Sequence, residues 1–186
     1  MLVGTDVGVG AEPVIRRVLS GKDPALERAR AEGLQVLEGR YTVSKYLGDG
    51  SDPAQLFEVV ESAPNLFLTA GINQVLLLAC GQSATAYSAA NARLCVGDGT
   101  TAAAAGQTDL TGTNKFRQIV DAAPVISNNQ VTFTATFGQA NSNWNWREVG
   151  VANAASGGQM WSRTVVDLGT KVSSATWVLQ WSLSIQ

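Results

Sequence analysis

Two hydrophobic spacings divide this chain. Along residues 130–137, Val131, Phe133, Ala135 and Phe137 alternate with Thr132, Thr134 and Thr136. Along residues 176–185, Trp177, Leu179, Trp181, Leu183 and Ile185 share one side, and Gln180, Ser182 and Ser184 share the other. A period of two places one set on each face of a strand, so both stretches predict half-buried antiparallel strands. Shorter strand-like stretches cover residues 36–47, with Leu37, Tyr41, Val43 and Tyr46, and residues 55–60, 93–96, 115–120, 145–151 and 160–168. Gly48-Asp49-Gly50, Asn128-Asn129, Ser156-Gly157-Gly158 and Ser173-Ser174 supply the turns between strands. Residues 102–114 are small and polar and predict a long surface loop with little to bury.

Helical spacing appears in two places. From Asn65 to Cys80, Leu68, Ile72, Val75, Leu76 and Ala79 recur at three- and four-residue intervals, with Gly81 as the stop and Asn65 or Thr69 as the cap. This segment is apolar around most of its circumference, which predicts a helix buried against a sheet. Near the N-terminus, residues 11–19 and 24–31 predict two short helices, the second with Asp23 as N-cap, Pro24 at its first position and Gly33 as its stop. Helices below about 12–15 residues are marginal in water. Residues 1–36 therefore predict a helical extension that needs a partner surface, on its own domain or on another subunit, with Val14, Ile15, Val18, Leu19 and Leu26 as the apolar contacts of a docking arm. The expected fold is mainly β: an antiparallel β-sandwich or curled sheet over residues 37–186, with one packed helix and the helical N-terminal extension.

Composition narrows the function. With 186 residues, 45% of them hydrophobic, the chain can bury a real core. A net charge of −2 with no Lys/Arg cluster predicts no nucleic-acid partner. The longest apolar run, residues 75–80, is far short of the roughly 20 residues a spanning helix needs, and the start carries no secretory signal. The expectation is a soluble protein made in a cytoplasm, without a membrane partner. Histidine is absent, which removes the usual general base, the usual zinc ligand and every Ser-His or Cys-His relay. Cys80 and Cys95 sit in apolar company and are expected to be reduced, buried and inert.

The remaining chemistry is sparse. Gly8-Val9-Gly10 lacks the Lys-Ser/Thr of a phosphate loop. Asp49-Gly50-Ser51-Asp52 and Gly97-Asp98-Gly99-Thr100 resemble pieces of calcium loops without the spaced oxygen ligands that would complete them, and read as tight turns. No catalytic residue, metal site or cofactor is expected. Among Asp98, Asp109, Asp121, Glu148 and Asp167, Glu148 stands out, because Trp146, Val149 and Gly150 place it in a partly buried strand. A buried carboxylate must be paired. Arg147 points to the opposite face, leaving Arg163 or Lys171 on a neighbouring strand as the expected partner. Trp144, Trp146, Trp161, Trp177 and Trp181 exceed what a small core usually holds and are assigned to core and subunit interface. Sugar stacking beside Asn143 and Asn145 is the rival use of their flat rings.

Taken in order, Asn65-Leu66-Phe67-Leu68-Thr69-Ala70-Gly71-Ile72, then residues 92–102 with Gly97-Asp98-Gly99, Gln107-Thr108-Asp109-Leu110, residues 131–137, Trp146-Arg147-Glu148-Val149-Gly150-Val151, Met160-Trp161-Ser162-Arg163 and Gly169-Thr170-Lys171 resemble a family of small tailed-phage virion proteins. The likeness covers about residues 65–186. More loosely, the same string is similar to tail-fibre and baseplate-attachment modules of contractile-tailed phages. The resemblance implies a non-enzymatic virion component, forming homo-oligomers and contacting other virion proteins. The expected placement is a capsid decoration or minor capsid protein. The alternative is a neck, tail, baseplate or fibre-attachment protein, weakened because no shaft or tip follows the last strand. A carbohydrate-binding host-recognition module is the further alternative.

Overall fold

The two most regular alternating stretches become neighbours: Phe133 lies opposite Trp181, and Phe137 opposite Trp177, in an antiparallel ladder. The computed structural model describes residues 14–19 and 24–185. In chain order its elements are β1 (Ile15–Val18), α1 (Pro24–Ala31), β2 (Leu37–Leu47), β3 (Leu56–Glu61), β4 (Leu66–Phe67), α2 (Thr69–Ala79), β5 (Arg93–Gly97), β6 (Lys115–Ile119), β7 (Val125–Ser127), β8 (Gln130–Phe137), β9 (Asn145–Ala152), β10 (Met160–Thr170) and β11 (Ala175–Ile185). The strands form two sheets, ordered β1-β3-β2-β11-β8-β7 and β4-β10-β9-β5-β6. The protein is mainly β, built like a sandwich, as the alternation predicts.

The main core lies between the sheets. Tyr41, Val43, Val60, Phe133, Phe137, Trp177, Leu179 and Trp181 of the first sheet meet Leu94, Val96, Trp146, Val149 and Val151 of the second. Cys95, Ala152 and Met160 alternate to the other face of the second sheet and form a smaller cluster with Leu68 and Leu110. The second sheet is thus covered on both faces, and α2 packs across β10 on the outer one. A polar seam crosses the main core. Tyr41 Oη lies 2.8 Å from Ser162 Oγ, the Asn65 side-chain amide also donates to Ser162 Oγ, and Trp181 Nε1 donates to Asn65 Oδ1 at 3.3 Å. Gly39 makes room for it, because a Cβ there would strike the Asn65 amide.

Several expectations change. The first predicted helix, residues 11–19, is strand β1 over Ile15–Val18; its residues 11–13 lie outside the described residues. The β3 edge offers this segment a complete ladder, from Ile15 opposite Glu58 to Val18 opposite Glu61, and that outweighs weak local helix propensity. The second helix forms as α1, yet none of its residues is buried. Of the docking-arm residues, Ile15 and Val18 are exposed, Val14, Leu19 and Leu26 are half-buried, and Leu19 packs on the main core.

The predicted buried helix 65–80 begins late and lies open. Leu66 and Phe67 pair with Arg163 and Ser162 of β10 before the helix starts at Thr69. Neither Asn65 nor Thr69 caps it; Leu68 holds the cap position with no side-chain bond. Only Gly71 and Gln74 are buried within α2, while Ile72, Leu76 and Leu77 are 40%, 57% and 43% exposed. The helix touches the sheet along the narrow side where a Gly71 Cβ would lie 2.2 Å from Trp161 Cα. Strand β7 was not expected. Asn128 and Asn129 both have positive φ, 46° and 60°, which closes a two-residue hairpin matched to strand twist and pairs Ser127 with Gln130.

Candidate functional site

Glu148 and Arg163 come together. In β9, Glu148 lies opposite Gly97 of β5 on one side and Val165 of β10 on the other, and Arg163 lies opposite Gly150, two residues along the same face. The Arg163 guanidinium reaches back, with Nη2 2.6 Å and Nε 2.8 Å from Glu148 Oε2. Both side chains are 0% exposed. An unpaired charge there would cost several kcal/mol, on the order of 3–5 when one partner is removed.

Each remaining polar atom is used by the 98–114 loop. Glu148 Oε1 accepts the Gly112 N–H at 2.7 Å and the Gly99 N–H at 3.3 Å, and the Thr111 N–H reaches the carboxylate at 3.0 Å. Arg163 donates to Gln107 Oε1, the Thr101 carbonyl and Thr111 Oγ1, at 2.8, 2.8 and 2.9 Å. Glycine is required here by proximity: a Cβ on Gly97 or on Gly99 would sit 2.5 Å from Glu148 Oε1. The loop is therefore folded around a buried ion pair, with Leu110 buried beneath it, and the expectation of a loop with little to bury is corrected.

Lys171 is not a partner of Glu148. It donates to the Gly138 carbonyl at 2.7 Å and to Asn143 Oδ1 at 3.0 Å, closing the loop between β8 and β9, and burial pushes its ammonium below the usual lysine range. The other carboxylates also have structural partners. Asp98 accepts from Asn114, Asp109 holds Arg117 at 2.8 Å, Asp121 accepts from Thr136, and Asp167 faces Arg147 at 3.5 Å. Arg117 in turn donates to the carbonyls of Ala154 and Gly157.

The tryptophans are core. Trp146, Trp177 and Trp181 are 0%, 3% and 0% exposed inside this one chain, so their assignment to a subunit interface is corrected. Trp144 and Trp161 are half-buried against the same core. Trp161 stacks among Tyr87, Phe133 and Trp181, with ring centroids 4.8, 6.3 and 5.0 Å away. Trp146 also donates through Nε1 to the Ser142 carbonyl at 2.9 Å. Both cysteines are free; Cys95 is buried as expected, whereas Cys80 is exposed.

Sequence reasoning missed Lys45. Its Nζ donates to Glu58 Oε2 at 2.6 Å and to the Leu168 carbonyl, and it lies 4.3 Å over the Trp177 ring. Burial lowers its pKa, and Glu58 opposes that shift. The signal was present: Tyr41, Val43 and Lys45 share one face of the β2 alternation, and that face is inward.

Among the described residues no group of three or more Cys, Asp or Glu side chains is placed to hold a metal, and no helix is long and apolar enough to cross a membrane. No family model matches the chain, and neither a curated protein nor a solved structure shows significant similarity to it.

Proposed function

We propose that this chain is a non-enzymatic structural subunit of a tailed-phage particle, a small accessory protein that decorates or reinforces the capsid. The observation that carries the reading is the use made of the charged centre. Glu148 and Arg163, which lie in the strings resembling virion proteins, are sealed from solvent and spend their hydrogen bonds on the 98–114 loop. Such a centre fixes strand register and loop shape, and engages both carboxylate oxygens of Glu148 within the fold. Rigid loops on a sandwich suit a subunit that must present the same surface in every copy of a symmetric assembly.

The tryptophan positions weigh against the sugar-binding alternative, because a stacking platform needs rings open to solvent, and three of the five are packed inside the core. The test is reconstitution on particles of the encoding phage made without this gene. The purified chain is expected to rebind their heads at a fixed copy number and raise the temperature at which they release DNA. Failure to bind, or binding restricted to tails, contradicts the capsid assignment.

A further inference from the structure

We propose that Glu58 is a charge-sensitive latch for β1: its carboxylate seats the strand on the β3 edge, and protonating it releases residues 15–18 while the sandwich stays folded. The inference concerns this chain by itself and does not rest on the capsid reading.

Three observations carry it. First, two cations share the one carboxylate. Arg17 Nε lies 3.3 Å from Glu58 Oε1, and Lys45 Nζ lies 2.6 Å from Glu58 Oε2. Second, the ladders place all three side chains on one inward face. Glu58 lies opposite Ile15 of β1 and Lys45 of β2, and Arg17 lies opposite Val60, which is fully buried. Side-chain exposure falls from 41% at Arg17 to 17% at Glu58 and 4% at Lys45, so the three charges run from the rim inward. Third, among the described residues Glu58 is the one carboxylate in ion-pair contact with either cation. Arg17 Nε is shut off from solvent and has no hydrogen-bond partner beside that contact. Lys45 is pinned by the Leu168 carbonyl and the Trp177 ring, so it cannot swing away. Asp167 also attracts it, more weakly than Glu58, but faces Arg147 at 3.5 Å.

Arg17 already acts on Lys45 as a like charge. With Glu58 neutral, the two are left on one face with no anion between them, an arrangement that destabilises strand pairing. The strain falls on β1. Lys45 belongs to β2, paired along its full length with β11, whereas Arg17 belongs to an edge strand of four residues.

Hydrogen exchange on the full-length chain reads the latch. In Glu58→Gln, the amides of residues 15–19 are expected to lose protection by roughly fivefold, the scale of a half-exposed ion pair, while those of β8 and β11 keep theirs. The double variant Glu58→Gln/Arg17→Gln, with one of the facing charges removed, is expected to recover protection. Acidifying the unmodified chain to about pH 4, where carboxylates ordinarily titrate, should lower protection in residues 15–19 once intrinsic exchange is corrected for, and Arg17→Gln should blunt that response. This last arm decides the matter even if Glu58→Gln does not fold. Unchanged protection of residues 15–19 in Glu58→Gln overturns the proposal, as does a double variant no better protected than Glu58→Gln. An acid response that Arg17→Gln leaves intact, or a body that opens as early as β1, also overturns it.

Discussion

At the scale of single residues, buried charge and buried thiol make the sharpest demands. Glu148→Gln keeps the shape and removes the charge that Arg163 was folded to meet. It is expected to cost about 3 kcal/mol, since removing one partner strands the other. For a chain of this size that corresponds to a fall of roughly 6–12 °C in melting temperature. Amide exchange should rise across residues 99–112, and an unchanged melting temperature would contradict the role given to the pair. Cys95 sets a second test. Burial raises its thiol from 9.0 to about 12, so between those values the unfolded chain releases a proton that the folded chain retains. Its contribution is therefore complete below pH 9 and lost progressively toward pH 12. Cys95→Ala should flatten the alkaline loss of stability by up to about 1.4 kcal/mol per pH unit. Denaturant midpoints at pH 8.5 and 11 measure this. Tyr41 and Tyr87, whose phenols burial also raises, steepen the loss above pH 10 in both proteins alike.

At the scale of elements, α2 shows what spacing alone can and cannot tell. Periodicity places a helix here and finds its C-terminal end, but it counts apolar residues without weighing what they touch. Gly71 decides the orientation: by lacking a Cβ it lets the helix rest on the Trp161 backbone, which turns Ile72, Leu76 and Leu77 outward. Gly71→Ala should therefore destabilise by about 1–3 kcal/mol through overpacking, although alanine raises helix propensity by about 1 kcal/mol. A higher melting temperature for this variant would contradict the close approach. The long strands were legible because their faces differ so strongly. Strands β8 and β11 appear where Phe133, Phe137, Trp177 and Trp181 alternate with polar residues. Strand β1 was not, because four residues carry no usable period and their structure is set by an edge elsewhere in the chain. Strand faces excluded Arg147 as the partner of Glu148 and left Arg163 or Lys171; the structure selects Arg163. The part played by Thr111, Gly112 and Gln107 was not legible, since a loop's closure depends on contacts that have no sequence period. Asn65 carries the same lesson: a residue type suited to capping is instead spent on the seam between sheets.

At the scale of the whole molecule, the main core belongs mostly to the β body. The main core draws its buried residues from Tyr41 onward, with Leu19 packing against it from the arm. Deleting residues 1–36 should leave a cooperatively folding sandwich, read by one thermal transition, while abolishing incorporation into particles. Unfolding of the truncated chain would make the arm part of the core. The central claim is that the sandwich is an assembly subunit of a capsid, and it is tested most directly by separating heads from tails in purified particles of the encoding phage and quantifying the chain in each. A fixed copy number in the heads is the predicted result; its absence from the heads, whether it is confined to tails or missing from particles altogether, would contradict the account.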